Sequence, residues 1–130
     1  MARVAIVEDN PDNRLLAMAL LEGLYDCDEY ESGIDALEGL PRQIPDIVLL
    51  DISLPVLDGI ETLKRIRANP LLGHLPVIAL TAHAMSGDRE RFIAEGFDDY
   101  VTKPIVDENL LLRAIDRGLA GPRTRGSSPT

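Results

Sequence analysis

Aromatic residues are scarce. Tryptophan is absent, and Phe, Tyr and Trp together make up 4% of the 130 residues. The core must therefore be aliphatic, and a hydrophobic content of 45% supplies the Leu, Ile, Val and Ala to build it. Cysteine is scarcer still. Cys27 stands alone, so no internal disulfide is possible, and a reducing compartment is the expectation. Positive charge is in deficit: 13 Lys and Arg against 22 Asp and Glu leave a net charge of -9. That balance argues against direct binding to nucleic acid or to an anionic membrane. No apolar run approaches the ~20 residues of a membrane span. The start "MARVAIVEDN" turns acidic too early for a secretion signal. The expectation is a cytoplasmic protein of one domain without internal repeats.

What is present is an alternation of short apolar runs and longer amphipathic stretches. "RVAIV" (Arg3 to Val7) is short and β-branched, and "DIVLL" and "PVIAL" read the same way, as buried strands. "YDCDEYE" (Tyr25 to Glu31) is a weaker strand whose carboxylates suit an exposed sheet edge. "DYVT" is the fifth. Between them, Asn10-Pro11 opens a helix that runs to about Gly23, and "IDALEGL" forms a short one. Ile60, Leu63 and Ile66 mark a third helix that Asn69-Pro70 ends. "GDRERFIAEG" is a fourth helix closed by Gly96, and "VDENLLLRAIDRGL" the fifth. Five strands alternating with five helices predict an α/β fold, a doubly wound five-stranded parallel sheet. It should occupy residues 1–120. The tail 121–130, "GPRTRGSSPT", has no periodicity and is expected to be disordered and weakly basic through Arg123 and Arg125.

The chemistry gathers where the strands end. In an open parallel sheet, ligands bind beyond the carboxyl ends of the strands. Glu8 and Asp9 follow the first strand, Asp51 ends the third, Thr81 ends the fourth, and Lys103-Pro104 follows the fifth. If these strands are neighbours, three carboxylates, a hydroxyl and an ammonium meet at one edge. Bare carboxylates so placed repel one another. A hard divalent cation relieves the repulsion, and Mg²⁺ suits one or two carboxylates with water and phosphate oxygens. Lys103 and Thr81 exceed what a metal needs and suit an anion beside it, pointing to a phosphoryl group. Asp51 near a cation can then act as the nucleophile. This answers why the run "IVLLD" ends on an acid: the acid faces a pocket rather than a core.

With Glu8-Asp9, Asp51 followed by "ISLPVLDG", "ALTA" around Thr81 and "YVTKP" around Lys103, the chain resembles the response-regulator receiver family over about residues 3 to 120. The resemblance implies a flavodoxin-like sheet, strand order 2-1-3-4-5, in two-component signal transduction. It implies a switch rather than an enzyme: Asp51 as phosphoacceptor from a sensor histidine kinase or histidine phosphotransfer protein. It also implies Mg²⁺ held by Asp9, Asp51, the Ser53 backbone carbonyl and, through water, Glu8. Thr81 and Lys103 would contact the phosphoryl oxygens, Tyr100 would be a rotating switch, and the peptide before Pro104 would be cis. Ser53 and His83 would border the path of hydrolytic water. The output would be read by a downstream effector protein, with the receiver a monomer or weak dimer. "TAHAM" and "GDRERFIAEGFDDYVTKPI" are similar to stand-alone receivers of the DivK type and to hybrid-kinase receivers.

Plainer roles compete for the same residues. Asp9 is within capping range of the first helix, Thr81 and Lys103 each occur as ordinary strand-end and surface residues, and Tyr100 as a half-buried aromatic. Asp58-Gly59 reads as turn and helix-start chemistry. His74 and His83 are too isolated for zinc, Cys27 reads as a small apolar filler, and Met18 and Met85 as packing. The competing function is a Mg²⁺-dependent phosphatase with an aspartyl nucleophile. The acid that such enzymes of the haloacid dehalogenase type usually carry two residues later is replaced by Ser53.

Overall fold

The computed structural model describes residues 2–82, 87–103, 105 and 107–120. Five strands are formed: β1 (Arg3–Val7), β2 (Asp26–Tyr30), β3 (Ile47–Asp51), β4 (Val77–Thr81) and β5 (Asp99–Thr102). The helices between and after them are α1 (Pro11–Leu21), α2 (Gly33–Gly39), α3 (Gly59–Ala68), α4 (Asp88–Glu95) and α5 (Glu108–Ala120). All strand pairs are parallel, as the alternation of elements predicts, in the order β2-β1-β3-β4-β5 that the resemblance implies. A single 3₁₀ turn, Leu40–Arg42, extends α2. The expected disordered tail and the cis peptide before Pro104 lie outside the described residues.

Local chemistry sets the boundaries. Asn10 caps α1, its side-chain oxygen accepting from the N–H of Asp12 at 2.8 Å and of Asn13 at 3.1 Å, with Pro11 in the first turn. Asn10 thus fills the capping role open to Asp9. Ser32 caps α2 and Asp58 caps α3 in the same way. Gly96 ends α4 with a φ of 114°, a left-handed conformation that glycine adopts without a Cβ penalty.

The period-two alternation of the strands divides the core between two sheet faces. Ala5, Val7, Val48, Leu50, Val77 and Ala79 pack under α2, α3 and α4, against Leu63, Ile66 and Phe92. Val4, Ile6, Ile47, Leu49, Ile78 and Leu80 pack under α1 and α5, against Leu21, Leu111 and Ile115. Every residue of β3 is buried, Asp51 included. Burial of each aliphatic side chain contributes about 1.5–3 kcal/mol, so the strand that carries Asp51 is anchored on both faces. β2 forms one edge, and its acids are engaged: Asp28 pairs with Arg3 at 3.1 Å and Glu29 with Arg14 at 2.9 Å. Cys27 is half-buried against the α1/α5 side of the core, in the filler role expected for it.

Candidate functional site at the carboxyl edge of the sheet

Strand register brings the chemistry together. Val7 of β1 pairs with Leu50 of β3, and Asp51 pairs with Leu80 of β4. Glu8, Asp51 and Thr81 therefore stand side by side at one edge, where all three are buried. Lys103 follows β5, and its backbone N–H donates to the Thr81 carbonyl at 2.7 Å, continuing the ladder past the end of the strand. Its side chain runs inward, and its ammonium lies 3.0 Å from Asp51 Oδ1 and 3.2 Å from Glu8 Oε1.

The acids form one cluster. Carboxylate oxygens of Glu8, Asp9 and Asp51 lie within 4.8 Å of one another, with Glu8 and Asp51 buried and Asp9 exposed. Burial pushes the Glu8 carboxyl up to about 7; its hydrogen bond from the Asn10 N–H and the Lys103 charge pull down, while Asp51 pushes further up. Lys103 has the opposite balance. Burial alone would lower its pKa, but Asp51 and Glu8 outweigh burial and raise it, so the ammonium stays charged. Asp51 Oδ1 accepts from Lys103 and from the Ser53 N–H at 3.0 Å. With Glu8 ionised, no donor among the described residues reaches the buried Oδ2.

That atom tests the fit of a metal. A buried carboxylate oxygen without a donor is costly, and here it sits among hard oxygen donors of the kind Mg²⁺ selects. The donor set fits the ion: Asp9 and Asp51 have oxygens close enough to share it, and Glu8 adds a third carboxylate.

The loop after Asp51 is shaped to hold it. A Cβ built on Gly59 would lie 2.2 Å from the Asp51 carbonyl oxygen, so only glycine lets α3 start this close to β3. The Gly59 N–H donates to the Ile52 carbonyl at 2.9 Å, and Asp58 caps the helix through the Glu61 N–H at 2.8 Å. Asp58-Gly59 is thus the turn and helix start the sequence predicts, and it also buttresses the strand end. Between them Val56 is 96% exposed with φ 66°, a left-handed backbone unfavourable for a β-branched residue.

Of the remaining predicted residues, Ser53 lies at the pocket mouth, exposed, while His83 falls outside the described residues. Tyr100 is half-buried in β5, its ring 5.6 Å from that of Phe92 in α4. His74 is exposed. Two features escaped sequence reasoning. Arg67, in the last turn of α3, donates to the carbonyls of Gly73, Leu75 and Gly96 and pairs with Asp98 at 3.1 Å. Buried Asp99 pairs with Arg89 of α4 at 2.6 Å and with Arg117 of α5. Burial pushes the Asp99 carboxyl up, but the bonds from Arg117, the Tyr100 N–H and Arg89 hold it below its ordinary value. A pair of adjacent acids at the start of a strand, Asp98-Asp99, was the available signal.

The doubly wound parallel sheet thus gathers clustered acids, a buried lysine and a hydroxyl at its carboxyl edge. The chain belongs to the response regulator receiver domain family, whose family model matches residues 4–116. It is therefore a receiver domain of two-component signalling. It is 43% identical over 103 residues to the polar-differentiation response regulator DivK of Brucella ovis, covering 78% of this chain and 84% of that protein. It is also 43% identical over 114 residues to the signal transduction histidine-protein kinase BarA of Escherichia coli, covering 85% of this chain. The chain spans only 12% of BarA's length. Among solved structures, the receiver domain of the sensor histidine kinase PA1611 from Pseudomonas aeruginosa superposes with a TM-score of 0.82 at 38% identity. The match covers 92% of this chain and 98% of that one, and that structure has a magnesium ion coordinated in the active site cleft. No helix among the described residues is long and apolar enough to cross a membrane.

Proposed function

We propose that this receiver is a Mg²⁺-dependent phosphoacceptor switch in which Asp51 takes a phosphoryl group from the histidine of a sensor kinase or a phosphotransfer protein. The observation that carries the reading is the buried Asp51 carboxylate held 3.0 Å from the Lys103 ammonium, with Glu8 and Asp9 beside it. An oxygen of Asp51 attacks phosphorus in line. The O–P bond forms as the N–P bond of the donor imidazole breaks, and the imidazole leaves with the electron pair. Lys103 shifts its contact from the Asp51 carboxylate to a phosphoryl oxygen, and the Thr81 hydroxyl donates to another. The Ser53 N–H orients the attacking carboxylate. Asp9, Asp51, the Ser53 carbonyl and, through water, Glu8 would hold Mg²⁺. When bound, the ion neutralises charge on the acids and on the transferring group.

The output follows from the same contacts. Drawing Thr81 toward the phosphoryl group biases Tyr100, one strand over, and so the surface of α4, β5 and α5 that an effector protein reads. A bias of a few kcal/mol between two conformers suffices. Residues 1–120 act as the switch domain, in the cytoplasm, as a monomer or weak dimer. The test is incubation with acetyl phosphate and Mg²⁺ followed by intact mass. One phosphoryl group should be added to the parent and none to Asp51→Asn. Unchanged labelling of Asp51→Asn would refute the assignment.

A further inference from the structure

The peptide that joins the first two site acids is held by an arginine outside the pocket. Glu8 continues the ladder past the end of β1, its N–H donating to the Tyr30 carbonyl of β2 at 3.0 Å. The Glu8 carbonyl accepts from Arg14 Nη1 at 2.9 Å. That carbonyl and the Asp9 N–H belong to one planar unit. A donor on the carbonyl therefore sets the plane from which the Asp9 side chain departs. Asp9 has little other support: it is exposed, and no hydrogen bond or ion pair holds its carboxylate among the described residues. Glu8, by contrast, is fixed by burial, by Lys103 and by the Asn10 N–H. Arg14 stands near the start of α1, the end of a helix where the dipole disfavours cations. Its side chain is nevertheless only 15% exposed, and its Nε donates to Glu29 of β2 at 2.9 Å. Glu29 offsets the charge and holds the guanidinium against the edge strand, with Nη1 turned to the Glu8 carbonyl.

We infer that Arg14 is a positioning residue for the Mg²⁺ site: by holding the Glu8 carbonyl it fixes the Glu8–Asp9 peptide, and so keeps the Asp9 carboxylate beside that of Asp51. This rests on the proposed reading of the pocket as a Mg²⁺ site and adds a residue that touches neither the ion nor the phosphoryl group. Partners that orient a metal's ligands govern affinity without contacting the metal. The sign of the effect separates position from charge. A guanidinium near the pocket repels a dication, so loss of its charge alone would tighten Mg²⁺ binding. Loss of its hold on the Glu8 carbonyl would weaken binding. The peptide would then have to be ordered as the ion binds, and that ordering is drawn from the affinity.

The experiment titrates Mg²⁺ alone into the ¹⁵N-labelled full chain and follows the amide shifts of Asp9 and Asn10. Urea unfolding checks that each protein is folded under the same conditions. Arg14→Met, which keeps the apolar stem, should weaken Mg²⁺ binding about tenfold, and Arg14→Lys, with one ammonium for two acceptors, by less. Acetyl phosphate labelling, read by intact mass, should need correspondingly more Mg²⁺ to reach half its full rate. The rate at saturating Mg²⁺ should change by no more than about twofold, because the bound ion restores the geometry. Arg3→Met is the control. It breaks the comparable Arg3–Asp28 pair between β1 and β2, away from the pocket, and should alter Mg²⁺ affinity by less than about twofold. Parent-like or tighter binding by Arg14→Met, or by Arg14→Lys should the first variant not fold, overturns the inference. So does an equal loss in Arg3→Met, or a loss confined to the rate at saturating Mg²⁺. A parent protein that binds no Mg²⁺ overturns instead the reading of the pocket.

Discussion

Glu8→Gln should stabilise the metal-free protein at pH 8 and do almost nothing at pH 5. Glu8 is 1% exposed, and burial together with Asp51 raises its carboxyl from 4.5 to about 7 in the folded state. The unfolded chain ionises Glu8 near 4.5, so between pH 4.5 and 7 the folded state binds more protons. Stability must fall as pH rises through that window, and the full cost is present above it. At about 1.4 kcal/mol per pH unit, the window corresponds to roughly 3 kcal/mol. Gln is nearly isosteric and cannot ionise, so it escapes this cost. It also gives up the Glu8 share of the Lys103 ammonium, which retains its 3.0 Å contact with Asp51. The raised value already contains the pull of Lys103, so the net gain at pH 8 should be roughly 2–3 kcal/mol. At pH 5 the folded parent carries Glu8 protonated, and the two proteins should agree within about 0.5 kcal/mol. Urea unfolding in EDTA at pH 5, 6, 7 and 8 reads this directly. Mg²⁺ should then stabilise the parent more than the variant, since the ion binds only the folded cluster. A variant less stable than the parent at pH 8, or a difference that does not change with pH, would show that the cluster is not the strained element inferred here.

Three further substitutions test the frame around the pocket. Val56→Gly should raise stability by about 0.5–1 kcal/mol in urea unfolding, because relief of the left-handed strain at φ 66° exceeds the added chain entropy of glycine. Gly59→Ala should lower stability by about 1–3 kcal/mol and slow acetyl phosphate labelling, since its Cβ would collide with the Asp51 carbonyl oxygen. Arg67→Met should cost about 2–4 kcal/mol in thermal or chemical unfolding, because the carbonyls of Gly73, Leu75 and Gly96 lose a charged donor together. It should leave the mass gain on phosphorylation intact.

What the sequence made legible followed from contrast. A carboxylate at the end of "IVLL", or two after "RVAIV", stands out because apolar runs rarely end in acids, and the strand ends of a parallel sheet share one edge. The site residues could thus be gathered before any coordinate. Arg67 offered no such contrast. It sits in a helix among Lys64 and Arg65 and reads as one more solvated cation; its acceptors are backbone carbonyls, which carry no side-chain signature. Asp98 and Asp99 are adjacent acids, and only the register of β5 decides which is buried. Their arginine partners come from three helices, at sequence separations from 10 to 31 residues. The left-handed turn at Val56 was hidden for another reason: nothing in "SLPVLDG" marks valine for a conformation that glycine or asparagine usually takes.

The length of β5 joins these observations. The strand has only four residues, and each end carries a different charge problem. At its start, Asp99 holds α4 and α5 through Arg89 and Arg117. Just past its end, Lys103 is shared between Asp51 and Glu8. Tyr100 lies between them, next to Asp99 and leaning on Phe92 of α4. All four of its residues are paired in register with β4. In the proposed switch, a phosphoryl group at Asp51 draws Lys103 and Thr81 at one end, while the clasp resists at the other. In that switch, α4 and α5, tied together by Asp99 through Arg89 and Arg117, would move as a unit.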